Sequence, residues 1–272
     1  PYTTLFRSSV TTSVTFIAST ALAANCSITG TGPVVANGSS TSTVTITLRD
    51  SSNNPISGLT PTFAATDTGS TNSYGTCSAT NASGVSTCTL TSTKAETKTL
   101  SITGPISKAD GSVTFTHGPA TQLSWTTQPS GGTAGTAWAT QGVVKVLDAQ
   151  GNVVSSGADA TASISLTLQS GTGVLAGTTT KAAVAGIADF SGLGMNITAS
   201  GSKTLRATKA DTSGSGGTTS VTADSSSISI TAGSATTLTV AGFSSPSTAG
   251  SSSSFTVTAK DSYGNTATGY TG

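Results

Sequence analysis

The chain has 272 residues, 34% of them hydrophobic and only 8% charged, with a formal net charge of +1. A field this weak excludes nucleic acid or anionic lipid as partners held by electrostatics alone. No apolar run approaches the roughly 18 residues that a membrane-crossing helix needs, so no membrane insertion is expected of this segment. Ser, Thr, Gly and Ala dominate, and Glu occurs once, at Glu96. That composition offers almost no amphipathic helix pattern and suits short strands and tight turns, which predicts an all-β chain. A flexible Ser/Thr linker has a similar composition, but its apolar residues would carry no period.

Residues 1–8, PYTTLFRS, look like a translated sequencing adapter and are left out of fold reasoning. The run Ser13–Phe16 (SVTF) recurs at Ser112–Phe115, so 9–19 is expected to be the last strand of a preceding domain. Residues 1–24 are therefore read as the adapter-like piece plus that strand. A signal peptide with a small-residue cleavage site at Ala21–Ala23 is the competing reading.

Residues 25–118 form the first expected sandwich. In 42–48, Val44, Ile46 and Leu48 alternate with Thr, placing one face inward and a hydroxyl face outward. The strand stops at Asp50, and Asn54 follows four residues later. Asp bonds its own backbone two residues on, and Asn or Gly tolerates the left-handed conformation that reverses the chain. Further on, a turn centred on Asn81–Gly84 sets Thr80 opposite Val85 and Cys77 opposite Cys88. Those two thiols are the favoured disulfide, at a non-hydrogen-bonded pair where the backbones approach most closely. Two buried thiols, or a bond from Cys26 to one of them, are the alternatives.

Residues 119–232 form the second sandwich, with strand Gln122–Thr127, a Gly-rich bend at 129–135, and strand 142–147 ending at Asp148 with Asn152 after it. Gly186–Phe190 answers Gly84–Cys88, Lys203–Leu205 answers Lys98–Leu100, and 211–219 reads as an exposed tip. Residues 233–272 begin a third unit with the same device at Asp261 and Asn265. Its inner face, including Leu238, Val240, Phe255 and Val257, lacks partners, so that unit is expected to be loosely held. The three Asp turns recur roughly one small sandwich domain apart.

Candidate chemistry is sparse. The single histidine, His117, lies at the junction 116–119 and reads as a linker residue, and no nucleophile-elbow pattern accompanies it. Asp148 and Asp159 bracket a turn rather than a cleft, so no catalytic residue is assigned. Each Asp turn carries one acid, whereas calcium takes about 6–8 oxygens with several carboxylates among them. No metal and no cofactor is expected. The sequons at Asn37, Asn81 and Asn196 are common by chance in so Ser- and Thr-rich a chain. Trp125, Trp138 and Tyr270 are candidate contact aromatics, with core or junction packing the commoner role of such residues, and Trp125, which alternates with Leu123, reads as core.

The segments 44–58, Gly84–Ser92 (GVSTCTLTS) and Lys98–Gly104 (KTLSITG), with Leu147–Asn152 (LDAQGN) and 260–272 in the later units, resemble the bacterial immunoglobulin-like repeats of invasin, intimin and other large surface adhesins. The resemblance implies tandem immunoglobulin-like β-sandwiches, the last one truncated, and a non-enzymatic role as a rigid spacer or adhesive module. It also implies neighbouring immunoglobulin-like repeats, a host or surface receptor, glycan included, and an extracellular place at the cell surface or outer membrane, anchored through a missing part of the chain. The lectin-like tip of the best-known members has no counterpart here. A carbohydrate-binding or spacer module of a secreted glycoside hydrolase, and a phage fibre component, are the other readings.

Overall fold

The computed structural model describes residues 17–272; the adapter-like residues 1–8 and the Ser13–Phe16 echo lie outside the described residues. The all-β class is borne out, with helix limited to three short 3-10 turns among the described residues. The chain divides into two compact units between Thr116 and His117.

The first unit contains β1 (Ser27–Gly30), β2 (Val34–Val35), β3 (Ser42–Thr47), β4 (Thr62–Ala65), β5 (Asn72–Tyr74), β6 (Val85–Ser92), β7 (Thr97–Gly104) and β8 (Lys108–Thr116). They make two four-stranded sheets, ordered β1-β3-β6-β5 and β2-β8-β7-β4. Alternation decides which side chains go in: β3 buries Ser42, Val44 and Ile46, and β7 buries Lys98, Leu100 and Ile102. These meet Leu90 and Phe115 in one apolar core. Buried Ser42 donates its hydroxyl to the Thr31 carbonyl at 2.8 Å, and buried Lys98 donates to Glu96 Oε1 at 2.6 Å, so neither polar group is left unpaired.

The second unit contains β9 (Gln122–Thr127), β10 (Gly132–Thr133), β11 (Val143–Leu147), β12 (Ser163–Ser170), β13 (Leu175–Ala176), β14 (Thr180–Ala182), β15 (Ile187–Asp189), β16 (Asn196–Ile197), β17 (Gly201–Lys209), β18 (Val221–Asp224) and β19 (Ile228–Thr231). One sheet runs β10-β19-β17-β12-β14 with β18 also on β17, a second runs β15-β11-β9, and β13 pairs β16. Val144, Val146, Ile164, Phe190, Met195 and Leu205 are fully enclosed in its core. The short parallel pairs β2–β8 and β10–β19 stand at corresponding places in the two units.

Of the two readings open to it, contact aromatic or packed residue, Trp138 takes the second. It is 3% exposed within the core, and its Nε1 has no hydrogen-bond partner among the described residues. Gly132 of the neighbouring Gly-rich bend lies against the ring, where an added Cβ would come within 3.4 Å of it. Trp125 is half-buried and donates from Nε1 to the Ala223 carbonyl at 3.2 Å.

After β19 come β20 (Thr237–Ala241) and β21 (Thr256–Lys260), an antiparallel pair with Leu238 opposite Ala259 and Val240 opposite Val257. Every residue of β20 is exposed, and Leu238, Val240, Phe255 and Val257 are 49–56% exposed. No described helix is long and apolar enough to cross a membrane.

Candidate functional site

The feature that recurs with near-identical geometry is the corner at Asp50, Asp148 and Asp261. Each aspartate follows a strand and is buried to within 3% exposure. Its Oδ1 accepts the backbone N–H two residues on, from Ser52, Gln150 and Tyr263, each at 2.9 Å. The same oxygen accepts the N–H four residues on, from Asn54, Asn152 and Asn265, each at 2.8 Å. The backbone closes the loop, with each aspartate N–H donating to the carbonyl of its asparagine at 2.9–3.1 Å. The fourth residue of each turn has positive φ: 65° at Asn53, 82° at Gly151 and 83° at Gly264. Only Gly, or Asn at small cost, adopts that conformation readily, which explains the residue choice there.

The second oxygen does what the local sequence does not reveal. Oδ2 accepts the Nδ2 of the asparagine, at 3.1 Å from Asn54, 3.0 Å from Asn152 and 2.8 Å from Asn265. It also accepts a backbone N–H from far upstream: Ser19 at 3.0 Å, Gly118 at 2.8 Å and Gly233 at 2.9 Å, separated by 31, 30 and 28 residues. Each of the three corner carboxylates is thus tied to backbone 28–31 residues upstream of it. Around Asp50, Asn25 Nδ2 adds a bond to the Asp50 carbonyl at 2.7 Å, and Leu22 N–H donates to the Arg49 carbonyl at 2.9 Å.

These bonds stabilise the ionised form. The Asn54 side chain acts first at Asp50; with the surrounding N–H groups it outweighs burial and holds the carboxyl at about 2. At Asp261 burial pushes upward, but Asn265, Gly233 and Tyr263 outweigh it and leave the carboxyl at about 2. Asp148 is lowered by the same balance, with burial opposed by Asn152 and Gly118. Folded values below the ordinary 3.8 mean that the linked stability is complete above about pH 5 and is lost as pH falls through about 2. Melting temperatures measured from pH 8 to pH 2 should be flat down to about pH 5 and then fall. A decline beginning at about pH 6 or above would contradict this assignment of the acid-sensitive groups.

Other polar groups are structural. His117 Nε2 lies 2.8 Å from Ser156 Oγ and Nδ1 lies 2.8 Å from the Gly118 carbonyl, so the ring braces the entry to the second unit. Among the described residues, no three His, Cys, Asp or Glu side chains gather as a metal site would require. The structure joins Cys77 to Cys88 with Cα atoms 4.2 Å apart, and Cys26 is a free, buried thiol. The pair lies between the hydrogen bonds Ser78 N–H to Thr87 and Gly75 N–H to Thr89, the close-approach position of an antiparallel ladder.

Sequence reasoning passed over the ion pair of Asp159 and Lys209. Lys209 is fully buried and donates to Asp159 Oδ1 at 2.7 Å, to the Thr218 carbonyl at 3.0 Å and to Thr212 Oγ1 at 3.1 Å. The Thr212 hydroxyl donates to the same carboxylate oxygen. Burial raises the Asp159 carboxyl, but Lys209, Thr212 and Thr218 outweigh it and hold it well below the ordinary range. The segment 211–219, read as an exposed tip, is mostly exposed, while its Thr212 and Thr218 reach in to the buried ammonium. A 50-residue separation between the partners leaves no local signal.

Residues 22–118 match the protein-family model described as invasin, domain 3. That match bears out the resemblance carried by 44–58, Gly84–Ser92 and Lys98–Gly104. A search of curated proteins finds no match. Solved structures similar to the chain include FdeC, an Escherichia coli adhesin, with 21% identity over 93% of this chain and 79% of that one and a TM-score of 0.48. InvD of Yersinia pseudotuberculosis has 22% identity over 90% of this chain and 72% of that one, with a TM-score of 0.48. Invasin, a bacterial integrin-binding protein, has 16% identity over 82% of this chain and 42% of that one, with a TM-score of 0.40.

Proposed function

We propose that this chain, whose residues 22–118 match the invasin domain 3 family, is a repeat segment of a bacterial surface adhesin. It serves as a stiff spacer or presenting module and performs no catalysis. The observation that carries this reading is the thrice-built corner, in which the entry N–H of each repeat is held by a buried carboxylate 28–31 residues downstream. Such a bond restrains the pivot at which a string of domains would otherwise bend. We place the starts of the repeats at Ser19, Gly118 and Gly233 on the same ground.

An extracellular place is supported by the Cys77–Cys88 disulfide, since oxidising compartments preserve such bonds. The receptor, whether a protein or a glycan, would be met by another part of the parent protein or by an exposed repeat surface. For the carbohydrate-binding alternative, Trp138 is enclosed in the core and Tyr270 remains as an exposed candidate contact aromatic.

Single-molecule pulling on the full chain tests the spacer role. Two discrete unfolding events are expected, each releasing on the order of 30 nm, since roughly a hundred residues extend by about 3.3–3.6 Å each. Addition of a reductant should lengthen one of the two events as the disulfide loop is freed. Smooth extension without steps would overturn the proposal.

A further inference from the structure

The Asp261 corner makes a second set of contacts within its own compact unit. The Asn265 side chain is held by Asp261, which takes one of its two Nδ2 hydrogens. The remaining hydrogen donates to the Thr198 carbonyl at 2.8 Å, and Oδ1 accepts the Ser200 N–H at 2.8 Å. One primary amide thus pairs with a backbone carbonyl and a backbone N–H two residues apart, as the edge of a neighbouring strand would. Beside it the Tyr263 ring lies over Gly135, where an added Cβ would come within 2.2 Å of the ring. Because β20 is exposed at every residue, these contacts rather than an apolar face seat the third repeat on the second.

The receiving ledge belongs to the repeat itself. Thr198 and Ser200 precede the Lys203–Leu205 strand by a fixed interval, and the same interval ahead of Lys98–Leu100 falls on Thr93 and Ala95. The Asp50 corner carries the reading half of this device. Asn54 is oriented by Asp50 as Asn265 is by Asp261. It is exposed, and among the described residues its other N–H and its Oδ1 meet no partner. Directly after Asn54 in the chain, Pro55 and Ile56 line a shallow hollow together with exposed Ile17 and Leu59.

We propose that the Asn54 corner is a docking surface for another immunoglobulin-like repeat lying ahead of it, whose ledge offers one backbone carbonyl and one N–H two residues apart. This rests on reading the chain as one stretch of a row of repeats. It adds the residue that makes the contact and the chemistry that the partner must present.

Amide hydrogen exchange on the full chain supplies the first test. Asn265→Ala should speed exchange at the Ser200 N–H about tenfold, the equivalent of one lost hydrogen bond, while the core amides of β3 and β17 stay protected. The second uses the full chain lengthened by a copy of residues 117–231 placed directly before Ala18. The Ser200 amide of the added copy should be protected, and Asn54→Ala should remove about tenfold of that protection. Asn54→Ala leaves the backbone bonds to Asp50 Oδ1 in place, so the corner persists. Equal exchange at that amide with and without the substitution would overturn the docking assignment, even if the pulling steps remain. Loss of the steps alone would sink the spacer reading and leave the contact standing.

Discussion

Replacing Lys209 by methionine is expected to cost the second unit roughly 3–5 kcal/mol, because it strands the Asp159 carboxylate in an enclosed site. Asp159 is 5% exposed and Lys209 is fully buried, so solvent cannot take over the lost contact. Thr212 and Thr218 would still donate to the carboxylate, but neither supplies a positive charge. Replacing both partners, as Lys209→Met with Asp159→Leu, should recover most of the loss, since no uncompensated charge then remains buried. Both tryptophans, Trp125 and Trp138, lie in this unit, so urea unfolding followed by their fluorescence reports it selectively. A loss below about 1 kcal/mol in the single variant would show the pair to be better hydrated than its burial implies.

The second large effect belongs to the other unit. Substituting both Cys77 and Cys88 by serine should lower its stability by about 3 kcal/mol, the chain-entropy value for a short closed loop. The two residues are separated by 11 in sequence. Cys88 is in the core at 2% exposure, so a serine there also adds a buried hydroxyl. Calorimetry should show the transition of the tryptophan-free unit moving down while the tryptophan-reported transition stays in place. If both moved equally, the units would not unfold independently, and if neither moved, the disulfide would contribute nothing to folding. Cys26 cannot substitute as a partner without rearrangement, because its sulfur sits against the Arg49 backbone.

The parts of this protein that could be read before the structure are those carried by short-range pattern. The alternation of Val44, Ile46 and Leu48 announces a half-buried strand because side chains on a pleated backbone repeat every two residues. The Asn81–Gly84 turn set the facing pairs because a hairpin's register follows from its turn. What escaped was decided by encounters between distant segments. Nothing near Asp159 points to Lys209, and nothing near Trp138 shows that it is enclosed. Nor does the Asp-to-Asn spacing disclose that a fourth donor arrives from Ser19, Gly118 or Gly233.

By itself, then, the order of residues determined the all-β class, the recurrence of the unit and the local course of each turn, since strand period and turn chemistry act over a few residues. Only the tertiary structure decided what each buried charge meets. A carboxylate removed from water must collect its hydrogen bonds from whichever groups the packed chain brings within about 3 Å. For Asp50, Asp148 and Asp261 one of those groups is a backbone N–H 28–31 residues upstream.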